Sequence, residues 1–195
     1  MGMFRLAWLR ELIGEPAGGH EAPPVEPVAG MRFAPGPVLI ACASQTGVAE
    51  DLAAATREQL RAVGIVSRVA DFEALDRAML ETASQVLFLV STTCDGDPPD
   101  MAATFSRTTM AQPASLAPLR YGLLALGDRG YEDFCGFGRA LDAWLQASGA
   151  QAWFPRIEVD DEDAAALERW HAQVAALAAP VAAQRDHPCQ AERPA

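Results

Sequence analysis

Residues 38–50 read Val-Leu-Ile-Ala-Cys-Ala-Ser-Gln-Thr-Gly-Val-Ala-Glu, an apolar run, a turn bearing hydroxyls and a glycine, and the start of a helix. A short continuous apolar run bounded by such a turn is the pattern of a strand buried on both faces of a parallel sheet. The backbone N–H groups of Ser44, Gln45, Thr46 and Gly47 can face an anion there, and the positive dipole end of the following helix points at the same spot. Ser44 and Thr46 are also able simply to cap that helix. The turn lacks the GxGxxG signature of a dinucleotide fold and the GxxxxGK[ST] of a triphosphate loop, which leaves a terminal monophosphate as the natural fit.

Downstream, strands and helices alternate. The pattern predicts a strand at 38–43, a helix at 48–63, a strand at 65–70, a short helix at 72–82 and a second apolar strand at 85–90. It continues with a helix at 100–111, a strand at 121–126, a helix at 136–148, a strand near 152–159 and a last helix at 161–179, stopped by Pro180. Strands that alternate with helices specify an α/β doubly wound parallel sheet, because each parallel crossover needs a helix. In such sheets a ligand lies outside the carboxyl ends of the strands, where the strand order reverses. Three loops leave strands at that edge: Ser44 to Gly47, Ser91 to Pro99, and Gly127 to Gly136.

The 195 residues, half of them hydrophobic, suffice for one well-buried domain. A net charge of −11, from 15 basic against 26 acidic side chains, argues against nucleic acid or an anionic membrane as the main partner and favours a basic partner surface. Cys42, Cys94, Cys135 and Cys189 form no CxxC pair and have no His at metal-ligand spacing, so no metal site is expected. They read as reduced thiols in the cytoplasm, and Cys94 reads as buried and inert, with a reactive thiol as the alternative. Residues 14–37 hold six prolines and five glycines and read as a linker. The folded domain is then expected over 38–179, with 180–195 a disordered tail. Within residues 3–13, Phe4, Trp8 and Leu12 recur at helical spacing. A helix packed on its own domain, or a frayed end, is favoured there over an interfacial membrane helix or a partner-docking one. Glu11 argues against a signal peptide. His20, His171 and His187 have no catalytic partner in sequence, and Trp144, Trp153 and Trp170 read as packing residues.

Taken together, Ser44-Gln45-Thr46-Gly47-Val48-Ala49-Glu50, Ser91-Thr92-Thr93-Cys94-Asp95-Gly96-Asp97-Pro98-Pro99 and Leu126-Gly127-Asp128-Arg129-Gly130-Tyr131-Glu132-Asp133-Phe134-Cys135 resemble the flavodoxin family, in particular the FMN domains of sulfite reductase flavoprotein and NADPH–cytochrome P450 reductase. The motifs occur in the family's order, and the resemblance covers roughly residues 38–178. It implies a five-stranded sheet in the order 2-1-3-4-5 with helices on both faces, and one FMN bound non-covalently. The phosphate would lie on Ser44, Gln45, Thr46, Gly47, Val48 and Ala49. The ring would lie between Ser91, Thr92, Thr93, Cys94, Asp95 and Gly96 on one side and Leu126, Gly127, Asp128, Tyr131, Phe134 and Cys135 on the other. Tyr131 matches the aromatic residue that stacks on the flavin; the alternative is an ordinary half-buried aromatic. Asp160, with Asp161, matches the acidic segment near the flavin's pyrimidine side, where negative charge would lower the second reduction potential.

Two positions depart from the family pattern. Where it carries an aromatic residue or Gln followed by Gly, this chain has Thr93 and Cys94. The family's Gly lets a peptide flip present a carbonyl to the flavin; a left-handed Cys costs about 1–2 kcal/mol more, implying a less stabilised half-reduced flavin. Nothing after residue 180 can build the FAD and NADPH module of a diflavin reductase. The expected function is therefore FMN-based electron transfer, with a separate NAD(P)H-dependent flavin reductase as donor and a haem or iron–sulfur protein as acceptor. A flavin-poor binding or regulatory module of the same fold and a small FMN oxidoreductase are the alternatives.

Overall fold

A computed structural model of the chain describes residues 31–161 and 163–185. β1 (Val38–Ala43), β3 (Gln85–Ser91) and β4 (Arg120–Gly127) are apolar on both sides and buried almost end to end, so they form the middle of a parallel sheet. β2 (Ser67–Asp71) pairs with β1 at one margin, and its mixed burial is that of an edge strand. The other margin holds β5 (Gln151–Ala152) and β6 (Ile157–Asp160), both parallel to β4. The order is 2-1-3-4-5, as expected, with the reversal between β1 and β3.

Side chains leave each strand with period two and feed two cores. Val38, Ile40 and Cys42 face the side covered by α1 (Val48–Ala62) and α5 (Ala164–Arg185). Leu39, Ala41 and Ala43 face the side covered by α2 (Arg77–Thr82), α3 (Asp100–Thr108) and α4 (Gly136–Ala147). The tryptophans pack as read. Trp144 meets Phe105 edge-on at 5.8 Å, and Trp170, fully buried, donates its indole N–H to Thr56 across the α1–α5 contact at 3.0 Å. Among the described residues no helix is long and apolar enough to cross a membrane.

Several boundaries differ from the sequence reading. The strand expected at 152–159 is broken in two, because Trp153 and Phe154 turn into the core and Pro155 brings no N–H to the ladder. The helix expected at 72–82 divides into a 3₁₀ turn, Phe72–Ala74, and α2, which starts where the Asp76 carboxylate accepts the Met79 N–H at 2.7 Å. The last helix begins later than 161, since Asp163 caps it by accepting the N–H groups of Ala165 and Ala166. It also runs through Pro180. The proline removes one N–H bond, but the alanines around it are the strongest helix formers and carry the helix on to Arg185.

The last residues of the expected linker are packed. Phe33 is 2% exposed, meets Trp153 edge-on at 5.0 Å and donates its N–H to the Leu177 carbonyl at 3.2 Å. The buried Gln85 amide accepts from Ala34 N at 2.8 Å and donates to the Ala34 carbonyl at 3.0 Å, pairing with the backbone as a neighbouring strand would. These residues lie at the amino ends of the strands. The helix expected at 3–13, the rest of the linker before Met31 and residues 186–195, with His20, His187 and Cys189, lie outside the described residues.

Candidate functional site

At the opposite, carboxyl edge, β1, β3 and β4 deliver their loops to one cleft of about 340 Å³, which is the size of small-molecule sites. The first loop is closed by its own side chain. Ser44 Oγ accepts the N–H groups of Gly47 at 2.8 Å and Thr46 at 3.2 Å. Gly47, at φ +85°, is the N-cap of α1 and has no side chain to offer, so the first N–H groups of α1 have no side-chain cap. Ser44 and Thr46 therefore do not serve as the helix cap. Gln45 reaches across to the start of α3, where its amide donates to Asp100 Oδ2 at 3.3 Å.

In the second loop, Thr93 and Asp97 exchange two backbone hydrogen bonds, of 2.9 and 3.0 Å, and close a tight hairpin. The Thr93 hydroxyl is spent inside it, on the carbonyls of Asp97 and Pro98. Cys94 sits at the tip with φ +45°, so the left-handed conformation is adopted without a glycine. It is exposed, contrary to its reading as buried, because the hairpin turns its tip outward. Thr92 Oγ1 is buried at the cleft without a hydrogen-bond partner.

The third loop is organised by Asp128, whose carboxylate accepts from Gly130 N at 2.6 Å and whose carbonyl accepts from Tyr131 N at 3.1 Å. Tyr131 is 52% exposed and lines the cleft. Cys135, left-handed at φ +55°, donates its thiol to the Ala125 carbonyl at 3.3 Å, and burial pushes that thiol up to about 11. The second and third loops touch through glycine. A Cβ on Gly136 would lie 2.7 Å from Gly96 Cα, and one on Gly96 2.7 Å from Asp133 Cβ.

The end of β6 closes the arrangement. Asp161 donates its N–H to the Gly127 carbonyl at 2.8 Å, and Asp160 Oδ1 accepts the Arg129 N–H at 2.9 Å. Below it, Arg139 on α4 grips Glu158 with two bonds of 2.8 and 2.9 Å, and Arg156 bridges Glu158 to Asp142. Asp142 in turn accepts the buried Tyr121 hydroxyl at 2.6 Å. The Arg139 hydrogen bonds hold the Glu158 carboxyl down to about 2 against the opposing pull of burial, with Arg156 adding to the effect.

Of the residues named from sequence, Gln45, Thr46, Val48, Ser91, Thr92, Thr93, Cys94, Leu126, Gly127, Asp128, Tyr131, Phe134 and Cys135 line the cleft. Ser44, Gly47, Ala49, Asp95, Gly96 and Asp160 stand outside that lining. Asp161, named with Asp160 as the acidic pair, lines it, and so does Asp133, which was not singled out although it lies inside the third motif. The lining holds three carboxylates and no Arg or Lys. It is a surface that can receive an anion only at the neutral N–H groups of the first loop, beside a half-exposed aromatic ring.

The family model described as Flavodoxin matches residues 40–171. The sulfite reductase [NADPH] flavoprotein alpha-component of Shewanella sp. (strain MR-7) is 36% identical over 145 residues, which are 74% of this chain and 24% of that protein. Its counterpart in Vibrio cholerae serotype O1 is 34% identical over 145 residues, again 74% of this chain and 24% of that protein. A flavodoxin of Streptococcus pneumonia TIGR4 superposes with a TM-score of 0.64 at 25% identity, covering 74% of this chain and 99% of that one. The chain thus spans about a quarter of the length of its sulfite reductase relatives and nearly all of a free-standing flavodoxin. By sequence match, strand order and loop placement together, the chain belongs to the flavodoxin family.

Proposed function

We propose that the cleft holds one FMN non-covalently and that the domain is a one-electron carrier between a separate NAD(P)H-dependent flavin reductase and a haem or iron–sulfur protein in the cytoplasm. The observation that carries this reading is the convergence of three loops on one cleft that leaves two kinds of polar group waiting for a ligand. The first N–H groups of α1 have no side-chain cap, and the Thr92 hydroxyl is buried without a partner. A terminal phosphate suits the former, since several oriented N–H groups and a helix terminus can share a dianion's charge.

Bound FMN supplies chemistry that takes up and releases electrons one at a time. The chain's own residues bind and orient it. The Ser44 to Ala49 turn would hold the phosphate, while Thr92 to Cys94 and Asp128 to Tyr131 would flank the ring. Asp128, Asp133 and Asp161 place negative charge around the cleft's occupant, which disfavours further negative charge there. The acidic rim also favours a basic partner surface, with association that slows as salt is raised.

An absorbance spectrum and an FMN titration test the reading. The expected result is a yellow protein, or an apoprotein that quenches one equivalent of FMN fluorescence. A colourless protein that leaves FMN fluorescence unchanged overturns it in favour of a flavin-poor module. Oxidation of NADPH by the isolated chain, with no reductase added, overturns the assignment of a separate donor.

A further inference from the structure

We propose that Asp160 is a positioning residue for the cofactor loop and acts through Arg129 without touching the cofactor; this rests on the FMN reading above. Residues 156 to 160 alternate along β6, so Ile157 and Val159 face the α5 side of the sheet. Arg156, Glu158 and Asp160 share the other face, and each meets an opposite charge: Arg156 meets Asp142, Glu158 meets Arg139, and Asp160 meets Arg129. The ladder starts at the buried Tyr121 hydroxyl and ends at the rim of the cleft.

Its last rung differs from the other two. Asp160 accepts the backbone N–H of Arg129 at 2.9 Å and lies 3.4 Å from the Arg129 guanidinium, which in turn lies over the Phe134 ring at 4.9 Å. Arg129 follows Asp128 directly and stands two residues before Tyr131, both of which line the cleft, whereas Asp160 does not. One carboxylate thus fixes the peptide between two cleft residues, which reduces the ordering that binding must otherwise supply.

The two parts of the rung respond differently to salt. Arg129 and Asp160 side chains are 72% and 39% exposed, so their ion pair is screened, while the bond to the backbone N–H is short-range and survives. FMN titration of the apoprotein at low and high salt, with amide hydrogen exchange and thermal unfolding run in parallel, tests the role. Asp160→Ala is expected to weaken FMN binding about tenfold at high salt, more at low salt where the ion pair is lost as well, and to speed exchange of the Arg129 amide. Asp160→Asn keeps an acceptor for that N–H and is expected to recover near wild-type affinity at high salt. Arg129→Ala, a change at an exposed side chain that keeps the fold testable if Asp160→Ala misfolds, is expected to lose affinity about threefold at low salt only. Asp160→Ala that binds FMN as wild type does, or that weakens binding without changing Arg129 exchange, overturns the role, the latter in favour of direct contact. Lower thermal stability with unchanged affinity overturns it too. Wild-type apoprotein that does not take up FMN overturns the proposed function and this role together.

Discussion

At the Ser44 end of the cleft, consecutive residues supply everything: a buried strand, a hydroxyl that closes the turn, a left-handed glycine and a helix terminus. At the Tyr131 end, the wall is assembled from residues 91–97, 127–136 and 160–161, held together by glycine contacts and by carboxylates that tie one loop to the next. The first end offers neutral N–H groups from one local turn, with Glu50 and Asp51 in the helix turn behind it and Asp100 across from Gln45; the second is lined by carboxylates and depends on three segments far apart in sequence. The Ser44 end, proposed for the phosphate, should therefore respond less to salt and acid, and the Tyr131 end, proposed for the ring, should be where substitutions and conditions change behaviour.

The contrast breaks most visibly at Gly136. A Cβ there would sit 2.7 Å from Gly96 Cα and 2.9 Å from its carbonyl oxygen, backbone against backbone, with no flexible side chain to yield. Gly136→Val is expected to force the second and third loops apart at a cost of about 1–3 kcal/mol, enough to weaken FMN binding by roughly 5- to 150-fold. Fluorescence titration reads the affinity directly. Unchanged affinity would mean that the meeting of these loops does not shape the site.

Glu158 tests the charged anchoring of the same wall. Its carboxyl stands at about 2 in the folded protein against an ordinary 4.5, chiefly through the Arg139 hydrogen bonds. A depressed carboxylate contributes stability above the unfolded value and loses it as pH falls through the folded one. Wild type and Glu158→Gln should therefore differ by about 2 kcal/mol at neutral pH and converge as pH drops from about 4.5 toward 2. Urea unfolding across that range checks it, and a constant difference down to pH 2 would count against the ion pair as the cause.

The same division separates what was legible in the sequence from what was not. The Ser44 turn is read from adjacent residues, and the alternation of apolar and amphipathic segments carries the doubly wound parallel sheet, whereas its strand order followed from the resemblance of the three motifs. The contact of Gly96 with Gly136 joins residues forty positions apart, and no local pattern announces it. Asp160 and Asp161 were named together, and the structure divides them, the Asp160 carboxylate accepting the Arg129 N–H while Asp161 lines the cleft; a pair of adjacent acids does not reveal that division. Phe33 was hidden because a proline- and glycine-rich stretch reads as linker, whereas Trp153 and Leu177, with Gln85 holding the next residue Ala34, give it a place. Pro180 misled in the opposite sense, since the helical preference of the alanines around it outlasts one missing bond.

Ser44→Ala probes the neutral end. The hydroxyl accepts two loop N–H groups, so its loss leaves Thr46 and Gly47 to find water or ligand. The expected effect is a roughly fivefold weakening of FMN binding, about the value of one ordinary hydrogen bond. It should be the same at low and high salt. A loss that grows with dilution of salt would erase the distinction between the two ends.

The smallest effect is expected where the chain departs most from its family. Cys94 already holds φ +45°, so the second loop has the shape its hairpin needs and bears strain for it. A left-handed non-glycine residue costs about 1–2 kcal/mol, and glycine returns part of that gain through its greater freedom in the unfolded chain. Cys94→Gly should thus raise stability by about 0.5–1 kcal/mol, seen as an increase of about 1–4 °C in Tm. Because the hairpin bonds between Thr93 and Asp97 are made either way, FMN affinity should change by less than about twofold. If the affinity rose far beyond that while Tm stayed put, the thiol itself, through its bulk at the exposed tip, would be the feature that limits the ring end.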